Sequence, residues 1–153
     1  MMTDETLRQL RVRDRGLLAP AFNDKITALL EIMEAEGHDP VVFETLRLPQ
    51  VQAEYFRRKT SRQKDVRRSM HGHGLAVDII SLSRGWNYSA EWKADLQAAC
   101  ARLGLTCGGL WKNPVDWPHV QWGSIPGAVP EGLVTAYNQG GLYGSWAFVG
   151  ALR

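Results

Sequence analysis

The 153-residue chain contains only two cysteines, Cys100 and Cys107, and four histidines. Two cysteines are too few for a small fold stapled by disulfides, and the reduced cytoplasm favours two plain thiols over a bridge. No run approaches the ~18–20 continuous apolar residues that cross a bilayer, so a membrane-spanning helix is excluded. No apolar stretch follows a basic start in Met1-Met2-Thr3-Asp4, so no secretory leader is expected and the chain is expected in the cytoplasm of the cell that makes it. Internal repeats and low-complexity tracts are also missing. With 44% apolar and 22% charged residues, the composition suits an ordinary globular chain and not a disordered one. At this length roughly 70% of the unfolded surface can be buried on folding. One domain over residues 1–153 and a monomeric state are expected.

The net charge of +2 is unevenly spread. Between Arg57 and Arg68 seven basic residues stand against one acid, Asp65, so this segment carries +6 and the remainder −4. Such a run is either a solvated loop or a patch for an anionic polymer. No aromatic residues are interleaved with the charges as stacking platforms for bases, and nucleic acid is not expected as a partner.

Along the chain, Pro20 opens a helix whose apolar residues Phe22, Ile26, Leu29, Leu30 and Met33 form one face, with Gly37 placed to end it. Val41-Val42-Phe43 reads as a short strand, and Pro49 opens a second helix through Phe56. Residues 75–80 are strand-like, and Ser89 caps a helix carrying Trp92, Leu96, Ala99 and Leu103 that Gly104 stops. Short strands are expected over 107–111 and 119–122, and a mostly irregular C-terminal quarter around one helix over 131–137. The order of elements, without regular β–α alternation, predicts an α+β fold with a small antiparallel sheet.

Three of the four histidines lie in two chemically dense segments, Ser69-Met70-His71-Gly72-His73-Gly74-Leu75-Ala76-Val77-Asp78 and Asp116-Trp117-Pro118-His119-Val120-Gln121-Trp122. Imidazole and carboxylate are good zinc ligands, and a catalytic zinc usually keeps three protein ligands and an open position. Two histidines and one carboxylate from separate strands would supply them. Gly72 and Gly74 remove bulk where the backbone must turn or come close to a metal. Asp116 and His119, three apart around a proline, can both face one site, one as ligand and the other as proton acceptor. His73 remains an alternative to His71, and Glu44 an alternative to Asp116. Trp111 and Trp117 can wall a cleft or fill the core, whereas Trp122 is expected in the core.

The pattern Ser-x-His-x-x-Gly-x-Ala-x-Asp, followed by Asp-x-x-His, resembles the zinc-dependent D-alanyl-D-alanine and L-alanyl-D-glutamate peptidases, including vancomycin-resistance carboxypeptidases and phage endolysins. The resemblance runs from Glu44-Thr-Leu-Arg47 through Gln52 to Gln121-Trp122, about half of the chain. It implies the small sheet with packed helices found in the hedgehog and D-alanyl-D-alanine peptidase folds. His71, Asp78 and His119 then match the zinc ligands and Asp116 the catalytic carboxylate. Arg47 matches an arginine that binds the scissile carbonyl, and Ser69 a serine lining the site. Trp111 is taken as a substrate contact. Asp-x-x-His-x-Gln is similar to the endolysin branch, which cuts the L-alanyl-D-glutamate bond of peptidoglycan and waits in the host cytoplasm until a holin opens the membrane. A D-alanyl-D-alanine carboxypeptidase and a non-catalytic zinc-bearing wall-binding module stand as alternatives.

Overall fold

The computed structural model describes residues 1–153. Five helices are present: α1 (Asp4–Leu10), α2 (Pro20–Ala35), α3 (Pro49–Arg57), α4 (Ala90–Leu103) and α5 (Glu131–Phe148). Four strands, β1 (Pro40–Glu44), β2 (Ala76–Ser81), β3 (Thr106–Cys107) and β4 (His119–Gln121), form one antiparallel sheet in the order β1-β2-β4-β3. This is the α+β fold expected from the order of the elements.

Alternation along the strands gives the sheet two different faces. Val77, Ile79 and Val120 are fully buried on one side, in a core shared with Phe22, Ile26, Leu29 and Met33 of α2 and Leu96 and Ala99 of α4. The α2 residues recur at spacings of three and four, so they form one stripe of the helix. α2 starts at Pro20, whose missing N–H costs nothing in a first turn, and gives way to Gly37 at φ 88°, a conformation that favours glycine. Ser89 caps α4 by accepting from the Trp92 N–H, and Gly104 ends it in the left-handed conformation. Cys100 and Cys107 are buried free thiols in this core.

One element was not anticipated and two expectations change. Before Pro20, α1 forms, with Thr3 accepting from the Thr6 N–H and Leu7 as its buried residue. The strand expected over 107–111 stops at Cys107, and a 3-10 turn follows over Gly108–Leu110. Gly108 and Gly109 explain the turn, since a Cβ on Gly109 would lie 2.0 Å from the Trp117 ring and one on Gly108 2.5 Å from the Asp116 carbonyl. The stretch after β4 is mostly helical. α5 runs eleven residues past the expected Tyr137, to Phe148, and contains one non-helical residue, Gly141 (φ 63°, ψ −149°). There it folds back: a Cβ on Gly144 would meet the Ala136 carbonyl at 2.4 Å, and one on Gly132 the Phe148 ring at 2.6 Å. Glycine lowers intrinsic helix propensity, which hides this pair of halves from periodicity, while its small size lets them touch.

Candidate active site

The second face of the sheet carries the polar residues. Glu44 of β1 pairs with Asp78 of β2, and Asp78 with His119 of β4, so the three stand in one row across the central strands. His71 arrives from a 3-10 turn, Met70–His73, just before β2. That turn ends at Gly74 (φ 65°), where a Cβ would lie 2.6 Å from the Leu17 carbonyl; a Cβ on Gly72 would lie 2.1 Å from the Val66 carbonyl. Both glycines therefore serve close backbone packing around the turn, not the approach of a metal.

One donor atom each from His71, Asp78 and His119 lies within 4.8 Å of the others. His71 Nε2 is 3.3 Å from Asp78 Oδ1, and His119 Nδ1 is 3.6 Å from the same oxygen. The imidazole tautomers follow from the partners. His71 Nδ1 donates to the Thr45 carbonyl at 2.8 Å, which leaves Nε2 as a lone-pair donor that is buried and has no hydrogen-bond partner. Gln121 is oriented by its amide N–H groups, which donate to the carbonyls of Ile125 and Gly127, so its Oε1 accepts from His119 Nε2 at 2.7 Å. This leaves His119 Nδ1 as the free lone pair. Two aimed imidazole nitrogens and one carboxylate oxygen, with one nitrogen orphaned, fit a single divalent ion, and the outer hydrogen bonds are of the type that fixes metal-binding histidines.

Electrostatics tie the cluster together. Burial pushes the Asp78 carboxyl up, but the facing His71 and His119 rings prevail and hold it well below the usual carboxylate range. For His119 burial favours the neutral ring, yet the negative charge of Asp78, with Asp116 behind it, raises it above its ordinary value. Asp116 approaches from the loop before β4, with Oδ2 4.0 Å from His119 Nδ1. Burial and the Asp78 charge raise its carboxyl above the ordinary value, against the opposing pull of His119, His71 and Arg47. A carboxylate made more basic and left partly open to the cleft is suited to accept a proton.

Arg47 closes the other side, with Nη2 3.7 Å from Asp78 Oδ2. Its guanidinium donates to Glu44 Oε1 through Nε and Nη2 and to Gln52 Oε1 through Nη1. Glu44 also accepts from the Tyr55 hydroxyl at 3.0 Å. Glu44, buried and fully engaged, anchors the arginine and is not a free base. Burial works against the charge on Arg47, but Glu44 and Asp78 outweigh it.

These residues line a cleft of about 800 Å³, which also exposes Ser69, Trp111, Trp86 and Phe43. The Trp111 ring lies 5.0 Å from that of His119 and its Nε1 donates to the Pro126 carbonyl. Trp117 packs against the core instead, as does Trp122, which meets Phe22 edge-on. His73 points away: Nδ1 bonds Ser145 Oγ on α5 and Nε2 donates to the Arg67 carbonyl. Sequence reasoning missed the parts played by Tyr55, Thr45 and Gln121. Gln121 was open to inference, since it is two residues from His119 and so shares its face of a strand. The Thr45 contact is made by a main-chain carbonyl, which no side-chain pattern reveals.

Donors for one divalent ion, a basic carboxylate beside them and a cation on the opposite side define the centre of a hydrolytic enzyme. Residues 62–122 match the profile of a family described as D-alanyl-D-alanine carboxypeptidase, a span that holds Ser69, His71, Asp78, Asp116 and His119 and leaves Arg47 outside. Among solved structures, the chain is similar to the crystal structure of the Serratia marcescens L-Ala D-Glu endopeptidase ChiX, at 27% identity and a TM-score of 0.53, over 72% of this chain and 86% of that one. No curated protein matches the chain significantly. In motif and architecture the chain is similar to these peptidases.

Proposed function

We propose that the chain is a zinc-dependent peptidoglycan peptidase that cuts the L-alanyl-D-glutamate bond of stem peptides, as a phage or prophage endolysin. The observation that carries the reading is the convergence of His71, Asp78 and His119 beside Asp116 and Arg47. The likeness to an endopeptidase of that bond supports the choice of substrate. His71 Nε2, His119 Nδ1 and an Asp78 oxygen would hold the ion. When bound, zinc supplies Lewis acidity and lowers the pKa of water from ~15.7 to about 7.

The chain's own residues do the rest. Asp116 takes a proton from the attacking water and returns it to the leaving amine, a role its raised basicity serves. Arg47, held by Glu44 and Gln52, directs its guanidinium towards the scissile carbonyl oxygen as charge develops there. A single preorganised donor of this kind contributes on the order of 3 kcal/mol to the transition state. Trp111 and Ser69 line the path of the peptide.

The test is digestion of purified sacculi by the zinc-loaded protein, with and without a chelator, and mass spectrometry of the new ends. Chelator-sensitive fragments beginning with D-glutamate are expected. Release of free D-alanine would instead assign the carboxypeptidase bond named for the family profile, and intact sacculi of every chemotype would remove the peptidase reading.

A further inference from the structure

Most of the basic segment is already neutralised within the fold. Arg57 and Arg58 both bind Glu54, Arg58 also binds Asp4, Arg67 binds Asp65, and Arg68 binds Glu131. Of the two readings of this segment, these ion pairs favour the solvated loop over the anionic-polymer patch. Lys59 and Arg62 differ: both line the cleft, and neither has a carboxylate partner. Arg62 donates to the carbonyl and side-chain oxygens of Asn113, a neutral residue on the loop that leads to Asp116. Arg11 also faces the cleft, with its guanidinium 4.0 Å over the Phe43 ring and its Nε near the Tyr55 hydroxyl, again without a carboxylate. The only carboxylates lining the cleft are Asp78 and Asp116, both beside His71 and His119.

Lys59 carries a second signal. It follows α3 at the position where helices turn left-handed, and at φ 61° it is the only non-glycine residue of the chain with positive φ. Glycine is the unstrained choice there. A lysine in that place exchanges backbone comfort for an ammonium at the cleft.

We propose that Lys59, Arg62 and Arg11 form a carboxylate-binding subsite that selects peptides bearing a free carboxylate beside the bond to be cut. The proposal rests on the peptidase reading above and makes it narrower. An L-alanyl-γ-D-glutamyl peptide fits this chemistry, because its chain continues through the side-chain carboxyl and leaves the α-carboxylate free next to the scissile amide. Its carboxamide counterpart has the same shape without the charge. Uncompensated cations in a partly enclosed cleft discriminate between the two, and they do so less as salt rises.

The test uses two synthetic stem peptides that differ only in carboxylate or carboxamide at that position. Turnover is measured with the zinc-loaded protein, and binding to the metal-free protein is followed by tryptophan fluorescence or calorimetry. Wild type is expected to favour the carboxylate peptide by about ten-fold in both readouts, and K59G/R62Q to lower that preference to about two-fold by raising KM with little change in kcat. K59G alone is expected to unfold a few degrees higher than wild type, because it relieves the left-handed strain, so a loss of selectivity cannot be ascribed to misfolding. Equal binding and equal turnover of the two peptides by wild type, or full preference retained in K59G/R62Q, overturns the subsite and leaves the peptidase reading standing. Preferential binding that the double variant loses, without turnover of either peptide, keeps the subsite and removes the peptidase reading. Neither binding nor turnover removes both.

Discussion

Asp116 and Gln121 both sit beside His119, and substituting each has a different expected result. Asp116→Ala removes the proton acceptor and no proposed ligand, so metal content and thermal stability should stay near wild type while kcat falls by about 10²–10⁴-fold; an unchanged kcat would strike Asp116 from the mechanism. Gln121→Leu leaves all three ligands in place but takes away the acceptor that fixes the His119 tautomer. Metal affinity should drop by roughly 10–100-fold, read by competition with a chromophoric chelator, and an unaltered affinity would mean that the ring is oriented by something else. At this scale much of the site was legible. The histidines and carboxylates that converge are those whose types and spacing suit a metal. Their supports were less so, because Glu44 looks like a candidate base until its two oxygens are seen to be taken by Arg47 and Tyr55.

Among the elements, α5 and the turn that carries His71 depend on each other. His73, two residues on from His71, bonds Ser145 in the second half of α5, and Trp146 Nε1 donates to the His73 carbonyl. The fold-back at Gly141 brings that second half into place. Gly144→Ala puts a methyl group against the Ala136 main chain, where no flexible side chain can give way. A loss of about 1–3 kcal/mol is expected, seen as a melting temperature lower by roughly 2–10 °C. Wild-type melting in this variant would show that the two halves are not in close contact. The hydrophobic stripes of α2 and α4 were readable because burial on one side imposes a period of 3.6. α5 was not, because its glycines are selected for contact between its own halves and weaken the helical signal. β3 was overextended for a related reason, with Gly108 and Gly109 accommodating the Asp116 loop and the Trp117 ring instead of continuing a strand.

For the molecule as a whole, the internal pairing of charges sets how it responds to acid. Glu54 accepts from Arg57 and Arg58, and these bonds hold its carboxyl at about 2, below the ordinary 4.5. Its folded value is the lower one, so the unfolded chain binds the proton more readily. Glu54 therefore contributes stability that is complete above pH ~4.5 and is lost as the pH falls towards about 2. The urea midpoint of wild type should decline across that interval. Glu54→Gln should begin lower at neutral pH and decline less, and parallel curves for the two proteins would exclude the contribution. This aspect was hidden in the sequence, where seven bases and one acid between residues 57 and 68 suggest an open electrostatic surface. Their partners Glu54, Asp4 and Glu131 lie outside that window.

The row formed by Asp78 opposite His119 has a consequence for assembly of the fold. A slip of one residue between β2 and β4 would turn one of the two side chains to the core face and break the donor set. An ion held by these residues as proposed would be held only by chains whose central strands have paired correctly. Metal occupancy in a refolded preparation would then serve as a count of properly registered molecules, independent of any assay of catalysis.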